Sequence, residues 1–587
     1  MFKLIFKHLK KLEYLIILFI IGIITINVWL ELKIFDYMNL VTKVIIAGGN
    51  NINEILKNGG LMLACALGSV LGAIVVNFFV TRLSAKLGMR IRSSVYDKVM
   101  SFSTGEIKHF STASLITRTT NDITQIQNLF AMGVRIMFRA PIMVIMALMK
   151  ISASNISWTI ATIVAVVVLM ISIITIIVIV MPKFKKFQQL TDNINRVTRE
   201  GLTGTRVVRA FNAEEFQEKK FKNVNDEMTQ NDLFVNRAMS FFDPMMALIM
   251  NGLPLAIYII GATLIFNTTT LADKAVLFAN MTTFSGYAVQ VVMSFVMLIT
   301  IFIMFPRAQV SAMRINEVLN TKNAIIDGQG IEEPIKTGEV QFVNVGFKYP
   351  EAEEYVLHDI SFKAEKGQTV AFIGSTGSGK STLINLVPRL YDATEGQVIV
   401  DGVNVKDYTI EQLNDKIGYI SQKAILFKGT VRSNVSLGEK GGLKPNEDEI
   451  NTALEISQSK FVYDLSGGID SEIDQGGKNV SGGQKQRLSI ARAIARNPEI
   501  LIFDDSFSAL DYKTDKMLRE SIKENLSDVT CLIVAQRIGT IKNADKIIVL
   551  DNGRIVGEGK HDELMKNCSV YKEIALSQLS KEELKNA

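Results

Sequence analysis

The clearest chemistry in this sequence lies in a glycine-rich segment that follows an apolar run, Thr369 to Ile373, and precedes a stretch of helical character. Its residues are Gly374, Ser375, Thr376, Gly377, Ser378, Gly379, Lys380, Ser381 and Thr382. Glycines let backbone N–H groups curl around an anion, and the following helix adds its positive end. We expect this loop to bind the phosphates of ATP. Lys380 should reach the β- and γ-phosphates, and Ser381 should be a Mg²⁺ ligand.

A second apolar run, Leu501 to Phe503, ends in two acids, Asp504 and Asp505. An acid at the end of a buried strand is the expected Mg²⁺ partner of such a loop, and Asp504 occupies that position. In sites that combine such a loop with such a strand, the side chain after this acid is usually a glutamate that polarises the attacking water. Asp505 is one methylene shorter, and a retreat of about 1.5 Å is enough to spoil the geometry of a general base. Asp505 therefore raises the question of whether this site cleaves ATP.

Two further polar clusters lie between these elements. One is Tyr419 to Gln422, and the other contains Ser481, Gly482, Gly483 and Gln484 at the predicted start of a helix. A hydroxyl and two glycines at a helix N-terminus favour a second anion site. That site would face outward from its own domain, so it makes sense if it serves the nucleotide of a neighbour.

The amino-terminal half has the composition of a membrane protein. The 587 residues are 48% hydrophobic and 21% charged, and long apolar runs dominate residues 1–310. Six stretches approach the roughly 20 apolar residues that cross a bilayer. They lie near 14–35, 59–82, 136–155, 157–181, 245–267 and 279–305. A soluble ATPase is thereby excluded. The formal charge of +6 would fit an anionic partner, but Lys and Arg flanking the spans explain it more simply.

Positive charge is concentrated in the loops after the second and fourth stretches, which predicts that these loops and both termini are cytoplasmic. Helical periodicity continues through both loops, with interruptions at 105–114 and 210–217. Residues 1–12 are basic and amphipathic, and no small-residue cleavage site follows the apolar stretch from Tyr14 to Leu30, so we expect a surface helix rather than a signal peptide. Pro306 is expected to end the sixth span, with a helical tail continuing to Lys322.

These features together resemble an ATP-binding cassette (ABC) exporter half-transporter over nearly the whole chain. The resemblance implies an all-α polytopic membrane domain of six long helices and an α/β P-loop domain of RecA-like type. The implied divisions are an elbow helix at 1–12, a membrane domain at 13–312, a linker at 313–338, a nucleotide-binding domain at 339–580 and a tail at 581–587.

The resemblance also implies roles for particular residues. Tyr349 falls where the family stacks an aromatic ring on adenine, and Gln422 matches the glutamine that meets both Mg²⁺ and the attacking water. Residues Ser481 to Gln484 match the signature sequence, and Asp511 lies in the D-loop. Segments 112–118 and 211–217 match the coupling helices. Two halves pair head to tail, so that each nucleotide lies between the P-loop of one half and the signature of the other.

Two departures from the family occur at the positions that carry the chemistry. The catalytic glutamate is Asp505, and the switch histidine is Gln536, which can bind a phosphate but cannot shuttle a proton. Beside an intact P-loop and signature, they resemble the degenerate half of a heterodimeric exporter, whose partner supplies the competent site. The alternatives are a homodimeric exporter or lipid flippase with weak sites, and an ATP-gated channel or regulatory membrane protein.

The transported substrate is the least determined feature. Export of hydrophobic small molecules, lipids or peptides across the cytoplasmic membrane is the default expectation, and no nucleic acid partner is expected. Methionines are dense in the spans and would suit either a pliable cavity or ordinary packing. Arg139, Asn251 and Gln290 are the candidates for the transport pathway, because polar residues at membrane depth tend to face the interior.

Overall fold

This computed structural model describes residues 1–46, 52–152, 156–331, 337–350 and 352–578. The expected tail at 581–587, most of the outer turn at 154–156 and part of the linker at 313–338 lie outside the described residues. The chain divides into two compact units. One comprises Met1–Lys98 and Ala113–Thr321, and the other comprises Val99–Thr112 and Lys322–Ala587.

The chain before the first strand is helical throughout its regular elements. The helices are α1 (Phe2–His8), α2 (Lys11–Ile46), α3 (Ile52–Met100), α4 (Thr104–Phe110), α5 (Thr112–Thr119), α6 (Asn121–Ser152), α7 (Ile156–Thr203), α8 (Thr205–Ala210), α9 (Glu214–Ser240), α10 (Phe242–Asn267) and α11 (Leu271–Asn320). Six helical segments among the described residues are long and apolar enough to cross a membrane. They begin at Lys11, Ile52, Thr112, Ile156, Glu214 and Leu271, and each overlaps one of the predicted spans. The six-span prediction is confirmed.

Ion pairs hold the amino-terminal helices and the spans together. Glu13 on α2 accepts two hydrogen bonds from Arg90 on α3, at 2.6 and 2.8 Å, and Arg90 also donates to the His8 carbonyl at the end of α1. Among the pathway candidates, Arg139 on α6 donates to both carboxylate oxygens of Glu31 on α2 at 2.9 Å. Charges in apolar surroundings need such partners, so these pairs fix which faces of the helices pack together.

The helical tail predicted after the sixth span is present in the structure. Helix α11 continues through Pro306 to Asn320 as one element, so the predicted span and its helical tail are not separated. Proline removes a backbone donor and crowds the preceding turn. Here the flanking residues Ile301 and Ala308 are buried against Leu129 of α6, and this packing supports the helix on both sides of the proline.

The first interruption contains two short helices, α4 and α5. Ser103 caps α4, where its backbone N–H donates to the Glu106 carboxylate at 2.6 Å. Ser111, with φ at 58°, separates α4 from α5. The second interruption is a turn at 211–213 between α8 and α9. A short helix thus occupies 112–119 as the resemblance implied for its first coupling helix, whereas in the second loop the short helix, α8, precedes the implied position.

The carboxy-terminal part alternates strands and helices. Its strands are β1 (Val340–Phe347), β2 (Leu357–Ala364), β3 (Thr369–Gly374), β4 (Glu395–Val400), β5 (Val403–Asn404), β6 (Ile417–Ile420), β7 (Gly429–Thr430), β8 (Glu472–Ile473), β9 (Ile500–Asp504), β10 (Thr530–Val534), β11 (Lys546–Asp551) and β12 (Arg554–Gly559). Its helices are α12 (Lys380–Asn385), α13 (Ile410–Lys416), α14 (Val431–Val435), α15 (Glu447–Ile456), α16 (Gly482–Ile494), α17 (Tyr512–Asn525), α18 (Ile538–Ile541), α19 (His561–Asn567) and α20 (Ser569–Gln578).

The larger sheet has the strand order β12-β11-β3-β10-β9-β6, and all neighbours except β11 and β12 are parallel. Strands β9 and β10 are buried at every position, as strands covered on both faces must be. Parallel neighbours present their carboxyl ends at one edge of the sheet. That edge therefore collects the segments that follow β3, β10, β9 and β6.

Candidate functional site

The phosphate-binding loop leaves the carboxyl end of β3, between its neighbours β10 and β11. Gly377 and Gly379 have φ values of 88° and 94°, which is the left-handed region that glycine adopts at low cost. At Gly379 a Cβ would also lie 2.7 Å from the Leu357 side chain. These two glycines allow the loop to turn back on itself before α12 begins.

The Lys380 ammonium lies inside this loop. It donates to the carbonyls of Gly374 and Ser375 at 2.9 and 2.7 Å and to the Ser378 hydroxyl at 3.2 Å. Burial lowers the pKa of Lys380, although Asp505 and Asp504 act in the opposite direction. The loop thus holds one cation among oxygen acceptors, at the position expected to meet phosphate oxygens.

Two of the three residues expected to hold Mg²⁺, Ser381 and Asp504, are hydrogen-bonded to each other. The Ser381 hydroxyl donates to Asp504 Oδ1 at 2.6 Å. Burial raises the pKa of Asp504, which lies at the end of the fully buried strand β9. Burial and the nearby Asp504 also raise the pKa of Tyr419. A hydroxyl and a carboxylate side by side fit Mg²⁺, which takes few protein oxygens and completes its shell with phosphate and water.

Asp505 lies one residue further along and has a φ of 49°. Its backbone N–H donates to the Val534 carbonyl at 3.0 Å, which attaches the segment after β9 to the end of β10. Asp505 Oδ2 accepts from the amide of Gln536 at 2.7 Å and from the amide of Gln422 at 3.3 Å. Burial raises the pKa of Asp505, and Asp504 adds to the rise. One carboxylate oxygen is therefore shared by two neutral amides.

A cavity of about 500 Å³ lies between the loop, Asp505 and the two glutamines. Its wall consists of Val356, Gly374 to Gly377, Gly379 to Thr382, Gln422, Asp505, Val534, Gln536, Ile574, Ser577 and Gln578. The structure thus brings together loop, acid and glutamine positions that are far apart in the sequence. It also adds Ile574, Ser577 and Gln578 of α20, which sequence reasoning missed because no motif surrounds them.

Tyr349 lies beside the cavity, and its hydroxyl shares a hydrogen bond of 2.9 Å with the Thr382 hydroxyl. Its ring packs edge-on against Tyr391, with centroids 5.3 Å apart. The Lys108 ammonium of α4 lies 5.4 Å from the Tyr349 ring centroid and 5.6 Å from that of Tyr391. Segment 99–112 is thereby linked to the aromatic residue expected to face adenine, and no sequence motif had indicated this contact.

The signature residues form the start of α16 and do not line the cavity. Ser481 caps the helix. Its backbone N–H donates to Gln484 Oε1 at 2.9 Å, and its hydroxyl accepts from the Gln484 N–H at 3.3 Å. A Cβ on Gly483 would lie 3.5 Å from the Ala509 carbonyl, so this helix start lies close to the D-loop of the same chain.

Asp511 of the D-loop caps α17 and accepts from the Thr514 N–H at 3.0 Å. This bond is the main reason that the pKa of Asp511 is lowered. Ser481 and Gly482 are exposed on this chain, as is Asp511. Both segments are therefore accessible to another molecule.

Comparison with known proteins identifies both parts of the chain. Residues 15–288 match the family described as the ABC transporter transmembrane region, and residues 357–508 match the family described as ABC transporter. An uncharacterized ABC transporter ATP-binding protein of Mycobacterium bovis is 36% identical over 522 residues, which cover 88% of this chain and 87% of that protein. An ATP-dependent lipid A-core flippase of Pseudomonas aeruginosa is 30% identical over 506 residues, which cover 86% and 82%.

The fold is similar to that of a bacterial Atm1-family ABC exporter with ATP bound. The TM-score is 0.77 at 22% sequence identity, and the match covers 96% of this chain and 99% of that structure. Exporters of this architecture work as dimers in the lipid bilayer. This chain belongs to the ABC transporter family and is a multi-pass exporter half-transporter, with a six-helix membrane domain fused to an ATP-binding ATPase domain.

Proposed function

We propose that this chain is the degenerate half of a heterodimeric ABC exporter of the cytoplasmic membrane, with both termini in the cytoplasm. The observation that carries the proposal is the shared oxygen of Asp505, which accepts from the amides of Gln536 and Gln422. A general base must reach the water that it activates and accept its proton. Here the carboxylate is short and already paired with two groups that do not titrate near neutral pH.

The same cavity is well suited to binding. Glycine backbone amides and Lys380 would hold the phosphates of ATP. Ser381 and Asp504 would hold Mg²⁺, with Gln422 as a further oxygen ligand. The metal would neutralise phosphate charge when bound. Tyr349 would stack on adenine after its ring turns from Tyr391. We therefore expect this chain to bind ATP at its own site and to hydrolyse it slowly or not at all.

The exposed signature serves the partner. Ser481, Gly482, Gly483 and Gln484 would complete the phosphate site of a second, different half-transporter that carries the competent base. Asp511 of the D-loop would lie at the same junction. ATP-driven closure of the two ATPase domains would shift the membrane helices toward the outward-open state, and hydrolysis at the partner's site would reset them.

For the cargo, we propose hydrophobic small molecules, lipids or peptides, with multidrug efflux as the default. The lipid A-core flippase among the relatives favours a lipid, so flipping of an amphipathic lipid is the second candidate. A homodimeric exporter with weak sites and an ATP-gated channel are the alternatives, and each predicts a different assembly or a different flux.

The test is to purify the tagged full-length chain from its own host and, separately, the chain expressed alone. The chain alone should bind ATP but show little ATPase activity, and the host preparation should contain a second half-transporter with a catalytic glutamate and a switch histidine. Within that complex, Asp505→Ala should cost far less activity than loss of the partner's glutamate. Robust turnover by the chain alone, or equal losses in the two variants, would refute the proposal.

A further inference from the structure

Gln578, the last residue of α20, makes two hydrogen bonds to the backbone of the segment that contains Gln536, the residue at the switch position. Its side-chain amide donates to the Gln536 carbonyl at 2.8 Å, and its amide oxygen accepts from the Ile538 N–H at 2.9 Å. One side chain therefore satisfies the backbone on both sides of Arg537. Only a side chain that carries a donor and an acceptor together can make both bonds.

Helix α20, which carries Gln578, is packed firmly against the ATPase domain. Tyr571 and Ala575 have no exposed surface and belong to the core of the ATPase domain. The Tyr571 hydroxyl shares a hydrogen bond of 2.7 Å with His561 Nδ1 on the preceding helix, α19. Ile574 and Ser577, on the same helix as Gln578, line the nucleotide cavity. The helix that carries Gln578 thus also forms part of the wall of the cavity.

The segment held by Gln578 is short. Strand β10 ends at Val534 and α18 begins at Ile538, so three residues connect them. At the β10 side, the Ala535 N–H donates to the Phe372 carbonyl at 3.2 Å. At the α18 side, the bonds to Gln578 restrain the connection. Between these two attachments the Gln536 side chain extends to Asp505 Oδ2.

We propose that Gln578 is a positioning residue that holds Gln536 toward the terminal phosphate of ATP, so that the site discriminates ATP from ADP. This inference rests on the proposed function in taking the cavity as an ATP site, and on the expectation that Gln536, at the switch position, binds the γ-phosphate. ADP lacks that phosphate. Loss of the two Gln578 hydrogen bonds should therefore weaken a contact that ATP makes and ADP does not. A purely structural role for Gln578 would weaken both nucleotides alike.

The test measures the affinity of the full-length, detergent-purified chain for Mg²⁺ with AMP-PNP, a nonhydrolysable ATP analogue, and for Mg²⁺ with ADP. With two hydrogen bonds removed, Gln578→Ala should weaken AMP-PNP binding by about tenfold and change ADP binding by less than about twofold. Glu573→Ala, at an exposed position on the same helix, is the matched control and should change neither affinity.

A double-mutant cycle separates positioning from stability. In a Gln536→Ala background, Gln578→Ala should cause no further loss of AMP-PNP affinity, because the residue through which it acts is gone. Equal losses for both nucleotides, unchanged AMP-PNP affinity, or additive losses in the cycle would each overturn the inference. No hydrolysis is measured, so a chain with robust ATPase activity would refute the degenerate-site proposal and leave this test intact.

Discussion

The nucleotide cavity has two sides that differ in how closely they follow the family pattern. On one side, Lys380 and Ser381 retain the residue types that bind phosphate and metal, and Ser381 is bonded to Asp504 at 2.6 Å. On the other side, Asp505 and Gln536 stand where the family resemblance implies a glutamate and a histidine, and they are hydrogen-bonded to each other at 2.7 Å. Under the proposed function, the difference would separate two tasks that a single site usually combines, which are binding the nucleotide and cleaving it.

The physical basis of this separation is the number of groups that each task needs. Binding would use many backbone amides, one cation and three oxygen ligands, and no proton would move. Hydrolysis depends on one base within hydrogen-bond reach of one water. Removing a methylene and a titratable ring can therefore disable hydrolysis without changing the phosphate-binding loop.

The largest expected effect is on the binding side. Lys380→Ala removes the charged donor of the loop and should weaken ATP binding by the full-length chain by roughly a hundredfold. Asp505→Ala is the matched variant on the other side and should leave the affinity within about twofold. Equilibrium titration with a fluorescent ATP analogue measures both. Similar losses in the two variants would remove the distinction between the two sides.

A second variant attempts to restore the hydrolytic side. Asp505→Glu combined with Gln536→His returns both chemical groups and should raise hydrolysis at this site by roughly tenfold or more. The measurement is phosphate release by the assembled complex in which the partner's catalytic carboxylate has been removed. Asp505→Glu alone is the control and should gain less, since it lacks the histidine. A double variant no faster than the starting complex would show that other residues limit hydrolysis.

The smallest effect concerns stability and pH. Burial raises the pKa of Asp505, so the folded protein binds this proton more tightly than the unfolded chain does. The carboxylate therefore reduces stability as pH rises through the folded-state pKa. Asp505→Asn should raise the unfolding temperature by about 2 °C near about pH 8, and the gain should shrink as the pH falls toward about 4, the ordinary pKa of an aspartate.

Thermal unfolding followed by intrinsic fluorescence checks this prediction. Asp511→Asn is the matched control, because the bond from the Thr514 N–H lowers the pKa of Asp511 and gives the opposite sign. The control should not raise the unfolding temperature near about pH 8. A lower unfolding temperature for Asp505→Asn would mean that its hydrogen bonds outweigh the burial of its charge.

Much of the fold follows from the sequence because its signals are local. Six apolar stretches predict six spans, and all six are present. The glycine spacing from Gly374 to Gly379 predicts the phosphate-binding loop, since φ values such as 94° at Gly379 require that residue type. The helical tail after Pro306 was predicted as well, and packing by Ile301 and Ala308 supports the helix on both sides of the proline.

Contacts between distant residues were not predictable in the same way. Gln536 lies 31 positions after Asp505, and Gln422 lies 83 positions before it. The two side chains meet at Asp505 because β9 lies between β10 and β6 in the sheet. Lys108 reaches Tyr349 although no motif surrounds it. Gln578 has no sequence signal at all, because an amide at a helix end is ordinary until its partners are known.

The sequence by itself determined the family, the six spans and the substitutions at Asp505 and Gln536, because residue types and short spacings carry that information directly. Only the tertiary structure decided which groups these two residues contact. The order of the parallel strands brings both amides to one carboxylate oxygen, and the packing of α20 brings Gln578 to the switch segment. The residue types determine which chemical groups are present, and the fold determines which of them share one hydrogen-bond acceptor.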